Sequence, residues 1–144
     1  ARDVPAGQTR DYIFGYTILN DVSARDAQTA HKQWYFGKSL DGFTPIGPCI
    51  VTADAFADYP PRLGIRSFVN GEKRQDSNTA LQIFDIDHVI AELSQGMTLK
   101  AGTIIATGTP AGVGMGMDPP QFLKPGDVVR CEIDGIGTLT NPVE

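Results

Sequence analysis

The chain reads as an α+β protein, mainly β with short helices, and three observations predict it. Sixteen glycines and ten prolines in 144 residues punctuate the chain too often for long helices. The apolar stretches are short runs of β-branched and aromatic residues bounded by turn residues, the pattern of strands. One segment alone, around residues 87–95, carries a strong helical stripe. A single domain of this length buries roughly 70% of its unfolded surface, enough for a core. With 41% hydrophobic and 20% charged residues, the composition fits neither a disordered tail nor a membrane protein.

Residues 1–10 (ARDVPAGQTR) are polar and broken by Pro5 and Gly7. Tyr12 to Asp21 is a predicted strand, with Gly15, Thr17, Leu19 and Asp21 on one face. Ser23, followed three residues later by Asp26, resembles a capping box and predicts a short helix from Ala24 to Lys32. QWYFGKSLDGF is then an aromatic loop, and Ile46 to Thr52 a buried strand. Asn70-Gly71 between Leu63 to Val69 and Glu72 to Gln75 predicts a type I′ hairpin. The stripe Ile86, Val89, Ile90 and Leu93 defines a helix over Asp87 to Gln95, with Asp85 or Asp87 as cap and Gly96 as stop. Thr103 to Thr107 is a predicted strand leading into the loop GTPAGVGMGMDPPQF. Val128 to Ile133 is another, turning at Asp134-Gly135 into a last short strand that ends near Asn141. Leu99 to Ile105 echoes Leu123 to Val129, which reads as shared turn chemistry and not as a repeat. The whole of 1–144 is expected to be one domain without an internal linker.

A net charge of −5 argues against a nucleic-acid or anionic-membrane surface, either of which calls for a basic patch. No run approaches the roughly 20 apolar residues of a membrane-spanning helix. Cys49 and Cys131 sit among apolar residues and are expected to be buried free thiols; without a CxxC or a Cys/His cluster, zinc is not indicated. The chain opens on charge, with no apolar run behind it to suggest a signal peptide, so a cytoplasmic setting is the default. It lacks an initiating methionine, so the natural start is expected upstream.

The glycine loop is no dinucleotide fingerprint. After Gly112 and Gly114 the third glycine position is Met117, and Asp118-Pro119-Pro120 forbids the helix that would hold a pyrophosphate. Gly37-Lys38-Ser39 fails as a phosphate loop because Lys32 stands where a glycine is required. A sharper set is Asp21, Arg25 and Gln28, whose spacing places them on one face of a helix beginning near residue 21. A carboxylate there can ligate a hard cation, a guanidinium can grip a carboxylate forkwise, and an amide can orient a carbonyl. Lys38 follows Trp34, Tyr35 and Phe36, a setting in which desolvation would favour its neutral form. Spacing alone leaves open a surface ion pair and a solvated lysine instead. Thr109, where the apolar run Thr103 to Thr107 gives way to the glycine loop, can meet an anion. His31 suits a helix C-terminus, His88 a helix surface, and Met115 and Met117 either a pocket lining or a gap. Trp34 and Tyr35 suit core, dimer contact or substrate wall.

The segments GYTILNDVSARDAQ (15–28), GKSLDGFTPIGPCIVTAD (37–54), VNGEKRQD (69–76), MTLKAGTIIATGTPAGVG (97–114) and LKPGDVV…IDGIGTLTNPV (123–143) resemble, in order, the fumarylacetoacetate hydrolase family. The resemblance implies a mixed β-roll packed by short helices, a homodimer, and Mg²⁺ or Mn²⁺ in the active site. It assigns Asp21 to the metal, Arg25, Gln28 and Lys38 to substrate binding and catalysis, and Thr109 to substrate binding. The family's E-x-E metal segment and catalytic lid lie upstream of the position matched by residue 1, and ARDVPAGQT resembles the linker after that segment. The chain is therefore expected to be N-terminally incomplete, with one metal carboxylate of three. The implied activity is C–C hydrolysis of acylpyruvate or fumarylacetoacetate-like 2-oxo acids through a metal-stabilised enolate. Oxaloacetate decarboxylation or carboxymethyl-hydroxymuconate-type isomerisation could use the same site. A catalytically silent binding or dimerisation module is the alternative outside enzymology.

Overall fold

A computed structural model describes residues 1–30 and 32–144, and its strands form two antiparallel sheets. The smaller pairs β1 (Gly15–Leu19) with β2 (Ile46–Thr52). The larger runs in the order β4 (Glu72–Asn78), β3 (Gly64–Val69), β5 (Val128–Ile133), β6 (Gly137–Pro142). β2 lies against β6 and joins the two sheets. Two helices accompany them, α1 (Arg25–Ala30) and α2 (Ile86–Gly96). Among the described residues no helix is long and apolar enough to cross a membrane.

The β3–β4 hairpin forms as the sequence predicts. Asn70 and Gly71 adopt φ of 52° and 83°, the left-handed pair that a type I′ turn requires. Asn70 also accepts from the Val128 amide at 2.9 Å and donates to Asp127 at 2.8 Å, fastening the turn to the start of β5. Asp85 caps α2 by accepting from the His88 amide at 2.8 Å, and Ile90, Ala91 and Ser94 form the buried face of that helix. The polar opening residues are anchored along it. The Asp3 amide donates to the Ser94 carbonyl at 2.8 Å and the Val4 amide to Ser94 Oγ at 3.0 Å. Thr9 is completely buried, donates to Asp87 Oδ1 at 2.6 Å and meets the Tyr59 hydroxyl. These bonds hold the Asp87 carboxyl below the usual carboxylate range, the Thr9 hydroxyl being the largest cause.

Several expectations are corrected. β2 has the predicted span but is largely exposed, and Cys49 on it is exposed while Cys131 is half-buried. Thr103 to Thr107 forms no strand; the Gly102 turn that should launch it leads into irregular chain, whereas the matching Gly126 turn does enter β5. Both failures share a physical cause. The chain exposes 9475 Å², against about 7,200 Å² for a compact monomer of its mass, and its buried apolar set is small: Val4, Ile18, Ile90, Ala91, Val129 and Ile136. Apolar faces that the sequence pattern marks for burial, including Phe14, Ile50 and Ile104, remain uncovered. Ser23 and Asp26 do not form the predicted capping box, because α1 begins at Arg25 and puts Ala24, not Ser23, at the flanking position; the Ser23 hydroxyl donates to the Asp21 carbonyl at 3.2 Å and accepts from Lys38. Gly96 closes α2 as its last residue, not as a left-handed cap; the Met97 amide bonds the Leu93 carbonyl at 3.1 Å.

Candidate functional site

The candidate site is built where the chain leaves β1. The helix starts at Arg25 and not near residue 21, so Asp21 sits on the preceding loop instead of on a shared helical face. Lys38 brings it back into the constellation. Its ammonium donates to Asp21 Oδ2 and, at 3.3 Å, to Ser23 Oγ. Lys38 ends a 3-10 turn, Phe36–Lys38, that packs on α1. The close approach depends on Gly37, whose carbonyl accepts from the Ala24 amide at 2.8 Å.

On α1 itself, Arg25 Nη1 donates to Gln28 Oε1 at 2.9 Å. One turn of helix suffices for that pairing. Gln28 is 3% exposed, so its amide is fixed by its surroundings. With Oε1 engaged by Arg25, its Nε2 hydrogens are what it can offer a ligand. Asp21 and Lys38 thus form one pair and Arg25 and Gln28 another, and the turn that carries Lys38 packs against the helix that carries the second pair. The Lys38–Asp21 pair is partly exposed, and such a pair contributes at most about 1 kcal/mol to stability. Its consequence is geometric: it holds the ammonium against the loop between β1 and α1.

The aromatic wall expected around Lys38 is not built. Trp34, Tyr35 and Phe36 are all exposed, so they do not bury the lysine, and a carboxylate is its neighbour instead. Thr109 stands apart from the other four. Its Oγ1 accepts from Gln75 Nε2 at 2.9 Å, and no bond joins it to the Asp21 corner among the described residues. Gln75, Arg74 and Ser23 are polar partners that sequence reasoning missed. Met117 fills a gap, its sulfur accepting from Arg74 Nη1 at 3.0 Å, whereas Met115 is exposed. His88 is on the surface, stacked on Phe84 at 4.7 Å, and His31 lies outside the described residues. A groove of about 1140 Å³, lined by Phe14, Ile46, Ile50, Ile90, Ile104 and Thr107 among others, contains none of the five candidates.

The residues present do not by themselves fit a resident divalent metal. Asp21 is a single carboxylate already engaged by Lys38, and among the described residues no three His, Cys, Asp or Glu side chains cluster to hold an ion. A hard cation with one protein ligand would be held weakly.

A family model for the fumarylacetoacetate (FAA) hydrolase C-terminal domain matches residues 1–144, and the chain belongs to that family. Its antiparallel sheets with two helices are that domain's fold. They overlay on a fumarylacetoacetate hydrolase from Exiguobacterium antarcticum with a TM-score of 0.96 at 51% identity, over 100% of this chain and 51% of that one. A 5-carboxymethyl-2-hydroxymuconate delta-isomerase from Mycobacterium smegmatis overlays with a TM-score of 0.87 at 46% identity, over 99% and 52% of the two chains. Oxaloacetate tautomerase YisK of Bacillus subtilis is 52% identical over 133 residues, 92% of this chain and 44% of that protein. The chain spans about half the length of these relatives.

Proposed function

We propose that this chain handles substrate in an enzyme that interconverts keto and enol forms of 2-oxo diacids, with oxaloacetate as the first candidate. The observation that carries the reading is the Lys38 ammonium, held by Asp21 and Ser23 on a turn that packs against α1, the helix that bears the Arg25–Gln28 pair. Arg25 grips the carboxylate next to the keto group, since a guanidinium binds carboxylates bidentately. Gln28 donates through Nε2 to the 2-oxo oxygen, so orientation is set before chemistry. As water takes a proton from carbon 3, negative charge grows on that oxygen. Lys38 stabilises the charge and delivers the proton that completes the enol, and the solvent that received the carbon-3 proton returns one to the lysine. No bond between heavy atoms breaks, and the product is an isomer of the substrate. The names of the tautomerase and isomerase relatives support this reading.

C–C hydrolysis of acylpyruvates is the second reading, favoured by the similarity to the Exiguobacterium hydrolase. It uses the same enolate but adds water, and releases two products. The proposed substrate is a small 2-oxo acid in both cases. A second copy of the chain is the proposed partner, supported by the apolar faces left uncovered.

The test follows enol absorbance of oxaloacetate, with release of pyruvate from an acylpyruvate assayed alongside. Lys38→Ala and Arg25→Ala are each expected to abolish turnover with unchanged circular dichroism. Near-native turnover in either variant would remove the assignment. Pyruvate release with no effect on the enol would favour the hydrolase.

A further inference from the structure

The glycine-rich segment after Thr109 is fastened to β4 by two adjacent residues, Arg74 and Gln75. On a regular strand, neighbours project to opposite faces. Here both serve one loop because β4 is bulged. Ser67 pairs with Gln75 while Phe68 pairs with Lys73, which leaves Arg74 as the extra residue. Bulges of this kind re-aim side chains and are common beside active sites. Arg74 reaches Gln121 Oε1 and the Met117 sulfur. Gly112, at φ 103°, lies so close to the Arg74 carbonyl that a Cβ there would overlap it.

Gln75 is specified more tightly still. Its Oε1 accepts from Ser67 Oγ at 2.7 Å, and its Nε2 donates to the Pro110 carbonyl at 2.8 Å and to Thr109 Oγ1 at 2.9 Å. The orientation of the amide follows from chemistry, because a carbonyl oxygen only accepts, so the NH₂ must face Pro110. Both Nε2 hydrogens are then engaged. Thr109 Oγ1 is thereby an acceptor toward the protein. Its own hydrogen has no acceptor among the described residues, and Thr109 is exposed.

We infer that Gln75 is a positioning residue that, by donating to Thr109, leaves the threonine's own hydrogen to be donated outward, so that the loop favours an acceptor oxygen of the substrate, a carboxylate or a carbonyl. The inference rests on the proposed 2-oxo acid function and adds the polarity of this contact to it. Ser67 is the far end of the same relay.

The test measures calorimetric affinity of the full chain for malonate, a stable dicarboxylate, with the KM for oxaloacetate in parallel. Thr109→Val is expected to weaken both about 10-fold, the loss of one bond to a charged group, with kcat within about twofold. Thr109→Ser should restore binding to within about threefold of native. Gln75→Glu presents a carboxylate that takes the Thr109 hydrogen, and it too should weaken binding about 10-fold. Should that variant fail to fold, Ser67→Ala removes one of the three bonds that hold the Gln75 side chain and should cost about threefold with little change in Tm. Native affinity in Gln75→Glu and Ser67→Ala alongside a weakened Thr109→Val would overturn the positioning role. Unchanged affinity in Thr109→Val, or no malonate binding by the native chain, would overturn the inference as a whole. The broader reading fails separately, through turnover that survives Lys38→Ala.

Discussion

Gly37→Ala probes how the candidate site is held together. A Cβ at Gly37 would stand 2.7 Å from the Gln28 nitrogen, 2.8 Å from the Ala24 carbonyl oxygen and 2.9 Å from Gln28 Cα. All three are backbone atoms of α1 or of the residue before it, so no side chain can swing aside. Gly37 has no left-handed backbone to lose, and the penalty is purely one of space. Forcing a methyl into a packed contact costs about 1–3 kcal/mol. An unfolding entropy of about 2.1 cal/mol/K per residue gives roughly 0.3 kcal/mol/K for this chain, so Tm should fall by about 3–10 °C. The cheaper relaxation is for the 3-10 turn to move off α1, which breaks the 2.8 Å bond from the Ala24 amide and carries Lys38 away from Asp21. Lys38 acylation, followed by mass spectrometry at limiting reagent, reads that movement directly. The lysine should label several-fold faster in the variant than in the native chain, while Lys73 and Lys100 keep their rates. Gly116→Ala is the control, because its nearest neighbour would be the Val113 Cγ2 methyl at 3.7 Å. A Gly37→Ala chain with native Tm and native Lys38 labelling would refute the reasoning.

Three further outcomes follow from the same structure. Thr9→Val removes the buried hydroxyl from Asp87 and Tyr59 and should cost about 1.5 kcal/mol near neutrality. Asp87 lies below its unfolded value, so its contribution is present above about pH 4 and is lost as pH falls through the folded value; the Tm gap between variant and native chain should close in acid. A gap that stays constant from pH 7 to pH 3 would contradict that assignment. Gly96→Ala meets nothing within 4 Å at the end of α2 and should raise Tm by about 2 °C through helix propensity, of the order of 0.5 kcal/mol; an unchanged or lower Tm would contradict this. Calorimetry with Mn²⁺ should find binding no tighter than millimolar, given one carboxylate already paired with Lys38, and micromolar binding lost in Asp21→Ala would show that Asp21 does form a metal site.

What the sequence disclosed sorts by the range of the interaction. The Asn70-Gly71 hairpin, the Asp85 cap and the spans of β2 and β5 were legible because each is decided within a few residues, by φ preference, capping geometry or β-branched runs. The burial of Ile46 to Thr52 and the strand at Thr103 to Thr107 were misread because apolar pattern reports what could be covered. Whether a covering surface arrives is a long-range fact.

The candidate site shows the same division at finer grain. Residue types at 21, 25, 28 and 38 could be picked out by chemistry, and family resemblance assigned their roles. The contact between Lys38 and Asp21 was not visible, since it depends on Gly37 letting a 3-10 turn touch α1 and on Lys38 crossing 17 residues to Asp21. Gln75 was less legible still. Nothing in Glu72-Lys73-Arg74-Gln75 announces a bulge, because the extra residue is defined only against Phe68 on the partner strand. Without the bulge, Arg74 and Gln75 would be assigned to opposite faces and only one could serve the glycine loop. A register shift of one residue therefore separates a solvent-facing glutamine from one that fixes the polarity of Thr109. That is why positioning residues on strands escape pattern reading more readily than the groups they position.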